Sequence, residues 1–395
     1  MVLYSHLHHL LPHTLVTHIR INIEEIMASP TVATKEIPDS RPMNGGDADN
    51  SYFQNSTYQR GAVEGSKGVI FETIPEKLDM NLPKTFRIAD FGCSTGPNTF
   101  FAMKNIMEAV MLKHQSTQEA NLRKTTLEFH VSFNDHVDND FNTLFKTLPP
   151  NRPYFAVGVP GSFHCQLLPE ASLHIAHSSY ALQWLSKVPP EIMDKGSPAW
   201  NKGKIYCAGN EKEVTKAYFA QFKANMDAFL KARAQELVEG GLVVVQIPGV
   251  PNSKVLPSQI GAGLICELLG DSLADMVKMG NITEEKVDSF NLPQYLPSIE
   301  DVKMVVEMNK CFTIEKICSL SHPSNYDPRP LDIERNCADV RAVLENPMRD
   351  HFGSENMDQL FHLFGQNLQK NRLLYDKVVR QDVYHFALLK RKGNI

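Results

Sequence analysis

The clearest chemical pattern in the chain is the motif "GCSTG" at residues 92–96. It matches G-x-S-x-G, the turn that presents the nucleophile of a serine hydrolase, which here would be Ser94. The same turn closely follows an acidic residue, Asp90. Small residues in such a turn also let the backbone approach a bound nucleotide-like molecule closely. The motif therefore allows two interpretations, a nucleophile or a loop that holds a ligand.

The segments around this motif alternate between strand and helix patterns. Residues 53–80 have the spacing of one helix, and a second helix is predicted to begin near Pro97. The segment "SLHIAHSSYALQWL" is predicted to pass from strand to helix, and "KANMDAFLKARAQELVEGG" to be a helix that ends at Gly240 and Gly241. Further strands are predicted at "TFRIADFG", "TLEFHVSFND", "YFAVGVPGSF", "LVVVQIPG", "FTIEKICSL" and "DVYHFALLKRK". This alternation indicates an α/β fold with a doubly wound parallel sheet.

The position of the motif favours the ligand-holding interpretation. In serine hydrolases several strands precede the nucleophile, whereas this turn follows the first predicted strand. Asp135 ends the second strand, where a carboxylate suits a ribose diol. The G-x-G-x-x-G spacing of dinucleotide enzymes is absent, and the pattern fits S-adenosylmethionine better. The interpretation of Gly92 and Gly96 as ordinary turn residues explains the spacing about equally well.

Composition excludes several classes of partner. The 395 residues carry a net charge of −5, so no basic surface for nucleic acid is predicted. The seven cysteines are scattered singly, which is typical of reduced thiols in a cytoplasmic protein. No apolar run reaches the length that spans a membrane, so no membrane contact is predicted.

The first forty residues differ from the rest of the chain. Five histidines occur within the first twenty residues, and the stretch lacks the pattern of a secretory signal. We expect residues 1–40 to be a disordered extension upstream of a plausible start at Met27. A metal-binding tail and an organelle transit peptide stay open as alternatives.

Over residues 43–392 the chain resembles the plant SABATH methyltransferases, which methylate small carboxylic acids and, in some members, xanthine nitrogens. The resemblance rests on the blocks "IADFGCSTGPNTF", "FNDHVDNDFNTLF", "VGVPGSFH", "HSSYALQWLSKVP", "FLKARAQELVEGGL" and "VDSFNLPQYLPS". It implies a class I methyltransferase (Rossmann-like) core, formed by residues 41–250 and 375–395, and a mostly helical cap formed by residues 251–374. It also implies a homodimer.

The resemblance assigns roles to residues at matching positions. Those expected to bind S-adenosyl-L-methionine are Tyr52, Ser56, Gln59, Asp90, Cys93, Asn98, Asp135, His136, Ser162 and Phe163. Those expected to contact the acid are Tyr52, Gln59, Tyr180, Gln183, Trp184, Cys266 and Gln294. Some family members are assigned Mg²⁺ at the positions of Asn201, Asp288, Phe290 and Asn291, although Asp288-Ser-Phe-Asn is also an ordinary turn.

No catalytic base is predicted, because a carboxylic acid of ordinary pKa is already ionised at neutral pH. We expect Gln59 and Trp184 to position the carboxylate through neutral N–H groups. An arginine at that place would bind the ground state more tightly and help the reaction less.

Several stretches, among them "GGLVVVQIPGVP" and "LPSQIGAGL", favour the family members that act on iridoid acids such as loganic acid. Gln183 and Cys266 stand where those members have histidine, a change that can alter specificity. Benzoic, salicylic, jasmonic or farnesoic-type acids and a xanthine nitrogen therefore stay open as acceptors, and hydrolysis through Ser94 is the alternative from another class.

Overall fold

Seven strands form one sheet in the order β3-β2-β1-β4-β5-β7-β6. Strands β1 to β5 are parallel, β7 runs antiparallel to β5, and β6 runs antiparallel to β7. The predicted doubly wound sheet is confirmed. The strands are β1 (Thr85–Phe91), β2 (Glu128–Asp135), β3 (Tyr154–Pro160), β4 (Leu173–Ser179), β5 (Leu237–Gly249), β6 (Phe312–Ser321) and β7 (Val383–Arg391).

The structure is a computed structural model, and it describes residues 40–79, 83–119, 126–326, 329, 332–373 and 381–393. These residues belong to one compact unit. The predicted extension at residues 1–40 lies outside the described residues apart from Ser40.

Ten helices are described. They are α1 (Thr57–Gly65), α2 (Lys67–Lys77), α3 (Asn98–Glu119), α4 (Phe141–Lys146), α5 (Lys212–Glu236), α6 (Gly261–Lys278), α7 (Glu284–Asp288), α8 (Ile299–Asn309), α9 (Ile333–Phe352) and α10 (Met357–Lys370). Helices α2 and α3 cover one face of the sheet, where they bury Ile88 and Val244. Helices α5 and α8 cover the other, where they bury Ala89 and Val243, because successive strand residues point to opposite faces.

Helices α6, α9 and α10 pack on one another around a second apolar core that contains Leu269, Phe352 and Phe364. This core also takes in Trp184, which follows β4. Within the predicted cap range of residues 251–374, helix α8 and strand β6 contact each other, and β6 pairs with β7 of the sheet. Because β6 of this range belongs to the sheet, the boundaries between core and cap at residues 251 and 374 stay a prediction.

The prediction of one helix over residues 53–80 is wrong, because Ser66 separates α1 from α2. Its hydroxyl donates to the Ala62 carbonyl at 2.9 Å, a local bond that competes with regular helix. A Cβ at Gly65 would lie 2.7 Å from the Tyr384 hydroxyl oxygen, so the chain passes close to the sheet at this point. The break aims α1 at the carboxyl ends of the strands.

The predicted helix after β4 is also wrong. Tyr180 has a φ of 55°, and the chain then pairs with a distant segment instead of coiling. Trp184 forms a β-bridge with Gln294, and the Tyr295 N–H donates to the Gln183 carbonyl at 3.0 Å. Helix α5 likewise ends earlier than predicted, and β5 runs through the two glycines that were expected to stop the helix.

Candidate active site

A cavity opens where β1, β2 and β4 end, which is where ligands bind in doubly wound sheets. The loop after β1 forms its floor. Gly92 has a φ of 86°, and a Cβ there would lie 2.3 Å from the Cβ of Ala181. Glycine is required for both reasons. The N–H groups of Gly92 and Cys93 each donate to the Asn134 carbonyl at 2.9 Å, which fixes the loop against β2.

The loop also holds Asp135, which ends β2 and lines the cavity. One carboxylate oxygen accepts from the Ser94 N–H and the other from the His136 N–H, both at 2.8 Å. Burial raises the pKa of Asp135, and these two amide donors oppose that rise. A carboxylate has further lone pairs beyond these two bonds, so it can still accept from ligand hydroxyl groups.

Five of the ten residues predicted to bind the cofactor line the cavity, namely Tyr52, Gln59, Asp135, His136 and Phe163. The other five, Ser56, Asp90, Cys93, Asn98 and Ser162, do not line it. Among these, the Asp90 carboxylate accepts from the Thr99 hydroxyl, and its other oxygen lies 2.7 Å from Nδ1 of His177. Asn98 donates to the Ser56 carbonyl at 2.9 Å. Through these bonds Asp90, Asn98 and Ser56 support the loop that forms the floor, without lining the cavity.

A buried ion pair fastens the Phe163 side of the cavity. Arg233 and Glu236 are both fully buried and pair at 2.7 Å. The Arg233 guanidinium also donates to the carbonyls of Phe163 and Cys165, at 2.8 and 3.0 Å. Glu236 in turn accepts from the Leu167 N–H at 2.6 Å. The pair thus ties α5 to the loop that carries Phe163.

All seven residues predicted to contact the acid line the same cavity: Tyr52, Gln59, Tyr180, Gln183, Trp184, Cys266 and Gln294. The bridge between Trp184 and Gln294 joins the segment after β4 to the chain that follows α7. The side-chain oxygens of Gln59 and Gln183 are buried and have no hydrogen-bond partner among the described residues. Burial raises the pKa of the Cys266 thiol to about 12, so this side chain is a neutral wall residue.

Seven further polar residues that the sequence patterns did not indicate line the cavity: Ser40, Arg41, Tyr58, Ser179, Asn336, Asp339 and Asp382. Asp382 precedes β7, and its carboxylate accepts from the Tyr58 hydroxyl at 2.9 Å and from the Gly261 N–H at 3.1 Å. Burial raises the pKa of Asp382 to about 7. The available signal for Asp339 was an acidic residue at helical spacing between Asn336 and the apolar Val343. Asp382 carried none beyond its place before a strand.

Hydrolysis through Ser94 is not supported by this geometry. The Ser94 hydroxyl oxygen is buried and has no hydrogen-bond partner among the described residues. A serine nucleophile needs a histidine within hydrogen-bond distance to take its proton. Ser94 serves the loop instead, because its backbone N–H holds Asp135.

The magnesium site predicted at Asn201, Asp288, Phe290 and Asn291 stays a prediction, and protein donors already occupy two of its side-chain oxygens. The Asn291 side-chain oxygen already accepts from Asn201 at 2.7 Å and from Tyr218 at 3.3 Å. Asp288 accepts from the Gly203 N–H at 3.0 Å, and the unpartnered atom of the group is a donor, Nδ2 of Asn291. Magnesium prefers six oxygen ligands in octahedral geometry. Among the described residues, no cluster of three or more His, Cys, Asp or Glu could hold a metal ion.

None of the described helices is both long and apolar enough to cross a bilayer.

Comparison with known proteins agrees with this geometry. Loganic acid O-methyltransferase of Catharanthus roseus is 54% identical over 376 residues, which cover 94% of this chain and 98% of that protein. Farnesoic acid carboxyl-O-methyltransferase of Arabidopsis thaliana is 42% identical over 329 residues, covering 83% and 92%. A solved structure of loganic acid methyltransferase with SAH superposes with a TM-score of 0.84 at 56% identity, covering 89% of this chain and 99% of that one.

The SAM dependent carboxyl methyltransferase family matches residues 38–392, nearly the whole of the described chain. The sheet, the glycine loop with Asp135 and the cavity above them are the structural counterpart of that match. This chain belongs to the family of SAM-dependent carboxyl methyltransferases and is an enzyme of that class.

Proposed function

We propose that this methyltransferase converts loganic acid, or a closely related hydroxylated iridoid acid, to its methyl ester. The observation that carries the proposal is that all seven predicted acceptor residues line one cavity together with Asp135. The identity of 54% to a loganic acid O-methyltransferase supports the choice of acid.

The cavity around Gln59 and Trp184 has few cationic side chains, which suits a carboxylate that must act as a nucleophile. Among the described residues, Arg41 is the one lysine or arginine that lines the cavity, and its Nε donates to Asp350 at 2.7 Å. The acid is therefore left ionised and weakly bound, which keeps its oxygen nucleophilic. Neutral N–H donors from Gln59 and Trp184 orient that oxygen without neutralising its charge.

S-adenosylmethionine, when bound, supplies a methyl group on a positively charged sulfur. Asp135 would hold the ribose hydroxyls, and Tyr52 and Phe163 would contact the cofactor from either side. The remaining work of the chain is positioning, which can contribute roughly 7–11 kcal/mol when reacting atoms are well aligned. Apolar residues such as Ile265 and Val343 exclude water from the same space.

The test is incubation of the purified protein with S-adenosylmethionine and loganic, farnesoic, benzoic, salicylic and jasmonic acids and xanthines, followed by mass spectrometry. We expect loganic acid to gain one methyl group. Mild alkali should then release methanol, because an ester hydrolyses and an N-methyl group does not. A methylated xanthine with no methylated acid would overturn the proposal.

Variants at the two positioning residues test the mechanism. We expect Gln59→Ala and Trp184→Ala to lower kcat about 100-fold or more, with cofactor affinity by calorimetry changed less than about threefold. Gln54→Ala is the matched control, since Gln54 is exposed in the same segment. Equal losses in turnover and in cofactor affinity would contradict the placement of these residues at the acid.

The family resemblance further predicts a homodimer, and the seven scattered cysteines predict a cytoplasmic location. Light scattering of the purified protein and imaging of a tagged chain are the measurements that test them.

A further inference from the structure

Helix α9 presents one polar and one apolar group of side chains to the cavity. Asn336, Asp339, Val340, Val343 and Leu344 all line it, at the spacing of one helix face. The apolar members lie toward the C-terminal half of this stripe. Asn336 and Asp339 therefore place polar groups next to the apolar side chains of the same wall.

The protein does not complete the hydrogen bonding of this carboxyl group. Its Oδ1 atom is buried and has no hydrogen-bond partner among the described residues. The nearby Arg335 donates instead to the Thr57 hydroxyl at 2.6 Å. Burial raises the pKa of Asp339 to about 6, and the charge of Arg335 only partly opposes that rise. A buried acceptor left without a donor destabilises the empty site.

A second acceptor in the cavity is in the same condition. The amide nitrogen of Gln183 donates to the Tyr180 carbonyl at 2.8 Å, which fixes the orientation of the amide. The oxygen of Gln183 must then point elsewhere, and it too is buried without a partner among the described residues. Two walls of one cavity thus offer acceptors to which the described residues bring no donor.

We propose that Asp339 is a specificity-determining residue that accepts a hydrogen bond from a hydroxyl group of the acid substrate, so that the enzyme selects hydroxylated acids over hydrocarbon acids. The proposal rests on the proposed function and makes its acceptor class specific. The substrate carboxylate would be repelled by Asp339, so it lies at Gln59 and Trp184. The hydroxyl-bearing end then lies against α9.

The experiment compares loganic acid, which carries hydroxyl groups, with farnesoic acid, which has none. We expect Asp339→Leu to raise the KM for loganic acid about 10- to 100-fold, since one hydrogen bond to a charged group is lost, with kcat largely kept. Farnesoic acid should be used equally well or better by this variant. Asp339→Asn keeps an acceptor oxygen and should lose less. Glu334→Gln, at an exposed position of the same helix, is the matched control.

A second readout does not depend on turnover. Calorimetry with the protein saturated with S-adenosylhomocysteine should give the same loss of affinity for loganic acid in Asp339→Leu. Unchanged affinity for loganic acid in this variant would overturn the inference, whether or not any ester forms. Absence of ester from every acid, with loganic acid binding still weakened by the substitution, would overturn the proposed function alone.

Discussion

The carboxylates on the two sides of the cavity differ in whether the protein supplies hydrogen-bond partners to both of their oxygens. On the sheet wall, formed by the loops after β1, β2 and β3, both oxygens of Asp135 accept from backbone N–H groups. Both oxygens of Asp90 behind that wall also have protein partners. On the cap wall, formed by α6 and α9, one oxygen of Asp339 has no partner among the described residues.

This difference separates the part of the site that is built in advance from the part that the acceptor completes. Bonds within the protein fix the loop and the carboxylates of the sheet wall, apart from the Ser94 hydroxyl, and such a fixed wall suits the methyl donor that the whole family shares. A wall with unsatisfied acceptors is stabilised by a ligand that brings the missing donors, and it rejects one that does not. We therefore expect cofactor binding and acceptor choice to depend on largely different contacts, with Tyr52 and Gln59 predicted to take part in both.

Arg233→Met should have the largest effect, and it tests whether bonds within the protein hold the sheet wall together. This change leaves Glu236 as a buried charge without its partner and releases the carbonyls of Phe163 and Cys165. We expect a loss of about 4 kcal/mol in the free energy of unfolding, measured by denaturant titration. Lys231→Met breaks an exposed pair on the same helix and should leave the free energy of unfolding close to the wild-type value. Equal costs would break the comparison.

Gly92→Ala tests the floor of the same wall. The added Cβ would meet Ala181 at 2.3 Å on a backbone with positive φ. Strain and crowding together should destabilise the fold by about 3 kcal/mol and weaken cofactor binding in calorimetry. Gly68→Ala is the control, because that helical position has open space and should gain about 0.5–1 kcal/mol. A silent Gly92→Ala would show that the floor is not close-packed.

The sheet wall is also the part of the site that could be predicted from the sequence. Strand patterns predicted the sheet, and the positions of Gly92 and Asp135 at strand ends predicted where the cavity lies. Local residue types suffice there because glycine and carboxylate have specific backbone and hydrogen-bond roles.

The cap wall was less accessible to such reasoning. Asp339 and Asp382 reach the cavity through the packing of helices far apart in sequence, and no local spacing encodes that packing. The segment around Trp184 had helical spacing, yet a long-range bridge to Gln294 prevailed over local pattern. The family resemblance supplied Trp184 and Gln183, but it assigned no role to Asp339 or Asp382.

Asp382 contacts Tyr58 and the Gly261 N–H at the junction of the two walls. The pH dependence of stability measures how much its protonation contributes to this junction. Its folded-state pKa of about 7 lies above the ordinary value of 3.8, so the folded protein holds this proton more tightly than the unfolded chain. Stability from this group is full below about pH 4 and is lost as pH rises to about 7. From pH 5 to pH 7 the wild type should lose roughly 2 kcal/mol relative to Asp382→Asn, measured as unfolding free energies.

The exposed Asp47→Asn controls for the loss of one negative charge. A constant difference between wild type and Asp382→Asn across this pH range would mean that Asp382 is ionised throughout. The junction of the two walls would then be held by charge, and Tyr58 and the N–H of Gly261 would be its full compensation.

The smallest expected effect concerns the cluster of Asn201, Asp288 and Asn291, which lies away from the cavity. The Asn291 side-chain oxygen and one Asp288 carboxylate oxygen accept from protein donors, as the Asp135 oxygens of the sheet wall do. We therefore expect dialysis against EDTA, or addition of millimolar Mg²⁺, to change the thermal midpoint and the methylation rate by less than the experimental error. Asp288→Asn should cost at most about 1 kcal/mol, since an oxygen that can accept from Gly203 remains. A midpoint raised by Mg²⁺ in the wild type but not in Asp288→Asn would contradict this, because it would require a cation to displace bonds the protein already makes. If Mg²⁺ changes the midpoint of neither protein, this cluster offers no free acceptor to a cation. The contrast with the unpartnered acceptors that face the substrate then stands.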